Sequence, residues 1–95
     1  MSIFIDNATG GTLYLFPGGN DLIDPPSQID SGKTAELRYH PGQRAVCTYG
    51  DKKGSEIAIG VGSEDGNKVH NIDGYVVQVE GFNGSGQVTY KITRQ

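Results

Sequence analysis

The sequence predicts an all-β protein, a single-domain antiparallel β-sandwich of about seven short strands over residues 1–95. Two observations carry this prediction. Apolar and polar residues alternate with a period of two in segment after segment, most cleanly where Val88, Tyr90 and Ile92 interleave with Gln87, Thr89, Lys91 and Thr93, so one face meets a core and the other meets water. The 15 glycines and 4 prolines are spread along the chain and punctuate those segments, a distribution that suits many turns and disfavours long helices.

The elements follow in order. Ile3 to Asp6 reads as a strand, and Asn7-Ala8-Thr9-Gly10-Gly11 supplies residues that tolerate positive φ, so a leading hairpin into Thr12 to Phe16 is expected. Residues 17–32 carry no clean period, and Pro25-Pro26 lacks the N–H groups a ladder needs, so this stretch is expected to be a long surface connection. Lys33 to His40 places Ala35, Leu37 and Tyr39 on one face and Thr34, Glu36 and Arg38 on the other before Pro41-Gly42 turns the chain. Arg44 to Tyr49 sets Ala45, Cys47 and Tyr49 together, and Glu56 to Val61 does the same for Ile57, Ile59 and Val61. Residues 62–73 are polar and interrupted by glycine, which predicts a loop. Tyr75, Val77 and Val79 open a final pair of strands, with Val76 expected against a second layer, and Asn83-Gly84-Ser85-Gly86 forms the turn to the last strand. Unpaired edges in such a fold favour a homodimer joined edge to edge.

Composition narrows the function classes. The net charge is −3 with the acids scattered, and the one basic doublet, Lys52-Lys53, is expected in a turn, so there is no basic stripe for nucleic acid. The opening MSIFIDNATGG has neither a charged leader nor a signal-length apolar run, and no stretch is long and apolar enough for a transmembrane segment. A cytoplasmic protein, or one released by a non-classical route, is the expectation. The single cysteine, Cys47, permits no internal disulfide. Asn7-Ala8-Thr9 and Asn83-Gly84-Ser85 match the N-glycosylation pattern, yet without a signal peptide they read as turn residues.

No motif specifies a reaction. Residues 27–34, SQIDSGKT, resemble the end of a phosphate-binding loop, but Ser27 stands where its first glycine belongs and a strand pattern follows where a helix is required. Cys47 with His40 or His70 would make a thiolate and its base only if the fold joined them, and Cys47 falls on an apolar face. Neither Ser63 nor Ser85 sits in a nucleophile elbow. Asp21, Asp24, Glu64, Asp65, Asn67 and Asp73 offer hard oxygen ligands from loops, so Ca²⁺ is the one metal considered, although their spacing misses the EF-hand. The 5 tyrosines all fall in expected strands, where most belong to the core and one or two would line a surface for sugar rings or lipid headgroups.

The run Tyr75-Val76-Val77-Gln78-Val79-Glu80-Gly81-Phe82-Asn83, followed by Ser85-Gly86 and Val88 to Ile92, resembles the C-terminal hairpin of the aegerolysins. Ile5-Asp6-Asn7-Ala8-Thr9 is similar to their opening strand and turn, and Ile29 to Thr34 to a segment before an inner strand. The resemblance implies a small acidic β-sandwich that binds membrane lipids, in some cases alongside a larger pore-forming partner. The chain is shorter than members of that family and lacks their tryptophans and paired cysteines, so no lipid-binding residue carries over.

The functional expectation is therefore a non-enzymatic binding or interaction module, lipid-binding or lectin-like, using the loops 17–32 and 62–73. Its candidate ligand residues are Tyr14, Asn20, Asp21, Tyr39, Tyr49, His70 and Tyr75. The alternatives are a calcium-binding structural β-sandwich, or a small hydrolase built on Cys47 and a histidine.

Overall fold

The computed structural model describes residues 2–17, 22–40, 45–63, 66–82 and 88–95. Among them there is no helix, and the strands form two sheets. One contains β1 (Ser2–Ala8), β4 (Thr34–Arg38), β8 (Tyr75–Phe82) and β9 (Val88–Arg94) in the order β4-β1-β9-β8. The other contains β2 (Leu13–Leu15), β3 (Gln28–Ile29), β5 (Ala45–Gly50), β6 (Glu56–Ser63) and β7 (Gly66–Asp73) in the order β3-β2-β5-β6-β7.

The period-two pattern does what it predicted in most strands. Ile3 and Ile5 from β1, Leu37 from β4, and Val88, Tyr90 and Ile92 from β9 are buried in one cluster with Leu13, Ala45, Cys47, Tyr49, Ile57 and Ile59 from the other sheet. Register explains the match: Ile3 lies opposite Leu37, Ile5 opposite Tyr90, Cys47 opposite Ile59, and Tyr49 opposite Ile57, so like faces meet across each ladder. The radius of gyration is 12.2 Å, close to the roughly 12 Å expected of a compact chain of this length.

Four expectations are corrected. Among the described residues there are nine strands where about seven were expected: β3 lies inside the predicted long connection, and β7 occupies the predicted polar loop. β1 and β2 do not form a hairpin, because β1 belongs to one sheet and β2 to the other. The fold is not wholly antiparallel, since β1 runs parallel to β9 and antiparallel to β4. The apolar face of β8 also fades along its length: Tyr75 is buried and Val77 half-buried, but Val79 is 60% exposed and Val76 is exposed rather than covered by a second layer. β8 is an edge strand, covered by a neighbour on one side among the described residues, and its register slips between Val79 and Gly81.

The crossing from β1 to β2 is organised by Asn7, which is fully buried. Its Nδ2 donates to the carbonyls of Gly11 at 2.8 Å and Ile29 at 2.7 Å. Its Oδ1 accepts from the Thr9 amide at 3.1 Å and the Thr9 hydroxyl at 2.7 Å. The backbone of the same residue bonds to Lys33 and Gly32. One side chain thus joins the end of β1, the crossing segment and β3, so Asn7, expected as a turn residue, is a strand residue whose two amide hydrogens are committed to fastening the crossing.

Candidate functional site

The β5–β6 turn, Asp51-Lys52-Lys53-Gly54-Ser55, is an Asx-type turn. Asp51 Oδ1 accepts from the amides of Lys53 at 2.7 Å and Ser55 at 3.2 Å, while the Asp51 amide donates to the Ser55 carbonyl. Gly54 takes a φ of 106° and Lys52 a φ of 65°, the left-handed region that a lysine enters only at a cost. In that conformation the Lys52 ammonium lies 4.4 Å from the centroid of the Tyr14 ring, a cation–π contact.

The other carboxylate oxygen reaches across to the second sheet. Asp51 Oδ2 lies 3.4 Å from Nη2 and 3.5 Å from Nη1 of Arg94, at the end of β9. The guanidinium also covers the Tyr75 ring, 5.4 Å from its centroid. The Lys53 amide foremost, helped by the Ser55 amide and the Arg94 guanidinium, holds the Asp51 carboxyl below its ordinary range despite some desolvation. The Tyr75 ring lies beneath the guanidinium; its buried hydroxyl has no partner in hydrogen-bonding geometry, and burial first, then the Asp51 charge, pushes its pKa up against the opposing pull of Arg94.

These residues border a cleft of about 360 Å³ lined by Gly11, Thr12, Tyr14, Asp51, Lys53 and Arg94. Gly11 contributes by having no side chain: a Cβ there would stand 4.0 Å from Arg94 Nη2, at the cleft wall. The site is assembled from the segment before β2, from β2 itself, from the β5–β6 turn and from the end of β9, so it bridges both sheets.

Of the expected ligand residues whose side chains are described, Tyr14 alone lines this cleft. Tyr39, Tyr49 and Tyr75 are core residues, Tyr49 and Tyr75 on the inward faces of β5 and β8 and Tyr39 just past the end of β4; the Tyr49 hydroxyl is spent on the Pro26 carbonyl at 2.6 Å. Their rings form no exposed aromatic surface. Asn20 and Asp21 lie outside the described residues, as do Glu64 and Asp65. The backbones of Asn67, His70 and Asp73 belong to β7, and their side chains are not described. Asp24 is exposed at a φ of 45°. Among the described residues no three His, Cys, Asp or Glu side chains gather where they would hold a metal ion.

Cys47 is buried, and desolvation pushes its thiol from an ordinary 9.0 to about 12, which suppresses the thiolate a nucleophile requires. Residues 28–34 form a strand, a turn and a strand, with Gly32 at a φ of 77°, not the loop-to-helix junction that binds nucleotide phosphates. Lys52-Lys53 does lie in a turn, as expected. Sequence reading missed Gly11, Thr12, Asp51, Lys53 and Arg94 as site residues; the basic doublet was the one signal available, and nothing in the sequence linked it to Arg94.

No protein-family model matches this chain, and no curated protein matches it. The candidate site therefore rests on its own geometry.

Proposed function

We propose that this protein is a non-enzymatic binding module, a two-sheet sandwich whose ligand site is the cleft between Gly11, Tyr14, the β5–β6 turn and Arg94. The observation that carries the reading is convergence: one concave surface gathers an aromatic ring, a carboxylate and cationic side chains from segments far apart in the chain. Rigid ladders on both sides support it, because β5 pairs with β2 and β6, and β9 with β1 and β8. A non-catalytic role is supported by the chemistry of Cys47, whose thiol is buried and held protonated.

The ligand class that fits is a lipid headgroup or a glycan, something small and polar that a single tyrosine and a few charged groups can grip. Co-sedimentation with liposomes and binding to a glycan array test this directly. Binding that is lost on Gly11→Leu, which fills the cleft from a position without positive φ, supports the reading. Binding that survives that substitution unchanged places the site elsewhere, and absence of binding in both assays removes the lipid and glycan reading.

A further inference from the structure

We infer that the cleft is a phosphate site, accepting a phosphate monoester group carried either on a soluble sugar or on a lipid headgroup. This deepens the binding reading above and rests on it.

Charge selects the ligand. Lys53 and Arg94 line the cleft against the single carboxylate of Asp51, and Lys52 stands beside it on the Tyr14 ring, in a chain whose formal net charge is −3. Three of the 8 basic residues are thus concentrated where the sheets meet. A phosphate monoester carries a charge of about −1.5 to −2 near neutrality, opposite in sign to the net positive charge that Lys53 and Arg94, with Lys52 beside them, leave over Asp51.

Asp51 does not quench that surplus. Its Oδ1 is occupied by two backbone amides, and its Oδ2 meets Arg94 only at 3.4 and 3.5 Å. Charge-assisted N–H···O bonds normally close to roughly 2.7–2.9 Å, so this pair is loose. Arg94 carries five donors in a planar fork suited to phosphate oxygens, and its side chain is 47% exposed. The Tyr75 ring, whose buried hydroxyl makes no hydrogen bond, lies beneath the same guanidinium. Asp51 thus holds the fork over the Tyr75 ring without satisfying it, and a phosphate entering past Gly11 meets Arg94 and Lys53 together.

The test is a titration followed by amide NMR, with the ¹⁵N-labelled protein and probes at matched ionic strength. Inorganic phosphate and glucose 6-phosphate are expected to shift the Gly11, Thr12, Lys53 and Arg94 amides saturably, at concentrations up to roughly 10 mM, whereas glucose does not. Arg94→Gln is expected to weaken phosphate binding at least about tenfold and Arg94→Lys less, because lysine keeps the charge but loses the fork. Lys53→Gln alters an exposed side chain, leaves the spectrum of a folded protein, and is expected to weaken binding several-fold.

Vesicles of phosphatidylcholine with and without phosphatidic acid separate the two sources. Sedimentation only with phosphatidic acid, lost in Lys53→Gln and Arg94→Gln, assigns a lipid-borne phosphate; shifts by the soluble probes alone assign a free ester. Equal shifts from glucose and glucose 6-phosphate overturn the phosphate inference while leaving a binding cleft intact. No saturable shift from any soluble probe together with no preference for phosphatidic acid overturns the inference too, and the glycan array then decides separately whether the binding reading survives.

Discussion

Asn7 is the side chain on which the crossing between the sheets depends. Replacing it with alanine takes one donor each from the Gly11 and Ile29 carbonyls and the side-chain acceptor from the Thr9 amide, at a residue that is itself fully buried. Asn7→Ala is expected to cost about 3 kcal/mol in urea unfolding. Asn7→Asp is expected to cost more at neutral pH, because it turns a carboxylate toward two carbonyl oxygens, and that excess should shrink as acidification protonates it. Tyr49→Phe removes one bond, to the Pro26 carbonyl, and should cost only about 1 kcal/mol. Lys52 has the opposite character. Its positive φ is strain held in the turn that brings its ammonium to Tyr14. Lys52→Gly should therefore leave the melting midpoint unchanged or higher while weakening phosphate binding, and a lowered midpoint would show that the cation–π contact outweighs the strain.

At the scale of the element, alternation was legible wherever both faces had clear jobs. Ala45, Cys47 and Tyr49 against Val46 and Thr48 could be read from the sequence because β5 is interior to its sheet and one face must be apolar. β7 could not be read, since GNKVHNID has no sustained alternation and its pairing with β6 is broken by register shifts; Val69 is its one side chain described, and it packs against the edge of the core. The glycines around residue 10 looked like a hairpin turn, but the same composition serves a crossing when an asparagine is buried to fasten it. The cleft was the least legible feature, because Asp51 and Arg94 are 43 residues apart and only strand order brings them together. A tight corner shows how firmly that order is held. Gly74, between β7 and β8, has a φ of 79°, and a Cβ there would run into the Ser55 side chain. Gly74→Ala is expected to cost about 2 kcal/mol or more, with Ser55→Gly in the double variant recovering the steric part and not the backbone part. Additivity of the two substitutions would show that the corner relaxes away from Ser55.

Across the whole molecule, the ionisable groups set stability limits at both ends of the pH scale. Asp51 has a depressed folded pKa, so its contribution is present above the unfolded value and is lost as pH falls through the folded one. The alkaline side is governed by the core. Cys47 is pushed to about 12 by burial, and burial also raises Tyr49, Tyr75 and Tyr90. Above the ordinary thiol value of 9.0 the unfolded chain releases a proton that the folded chain still holds, so the unfolded state binds fewer protons and stability falls as pH rises toward 12. One such group contributes a slope of at most about 1.4 kcal/mol per pH unit, and the tyrosines add theirs from about pH 10 upward. Urea unfolding under reducing conditions should show a decline in stability beginning near pH 9. Cys47→Ala should be less stable throughout because it leaves a small cavity, yet its stability should decline less steeply between pH 9 and 10, by about one proton's worth of slope. Identical slopes in the two proteins would mean that the thiol ionises as readily inside the fold as outside it, and would reopen Cys47 as a reactive group.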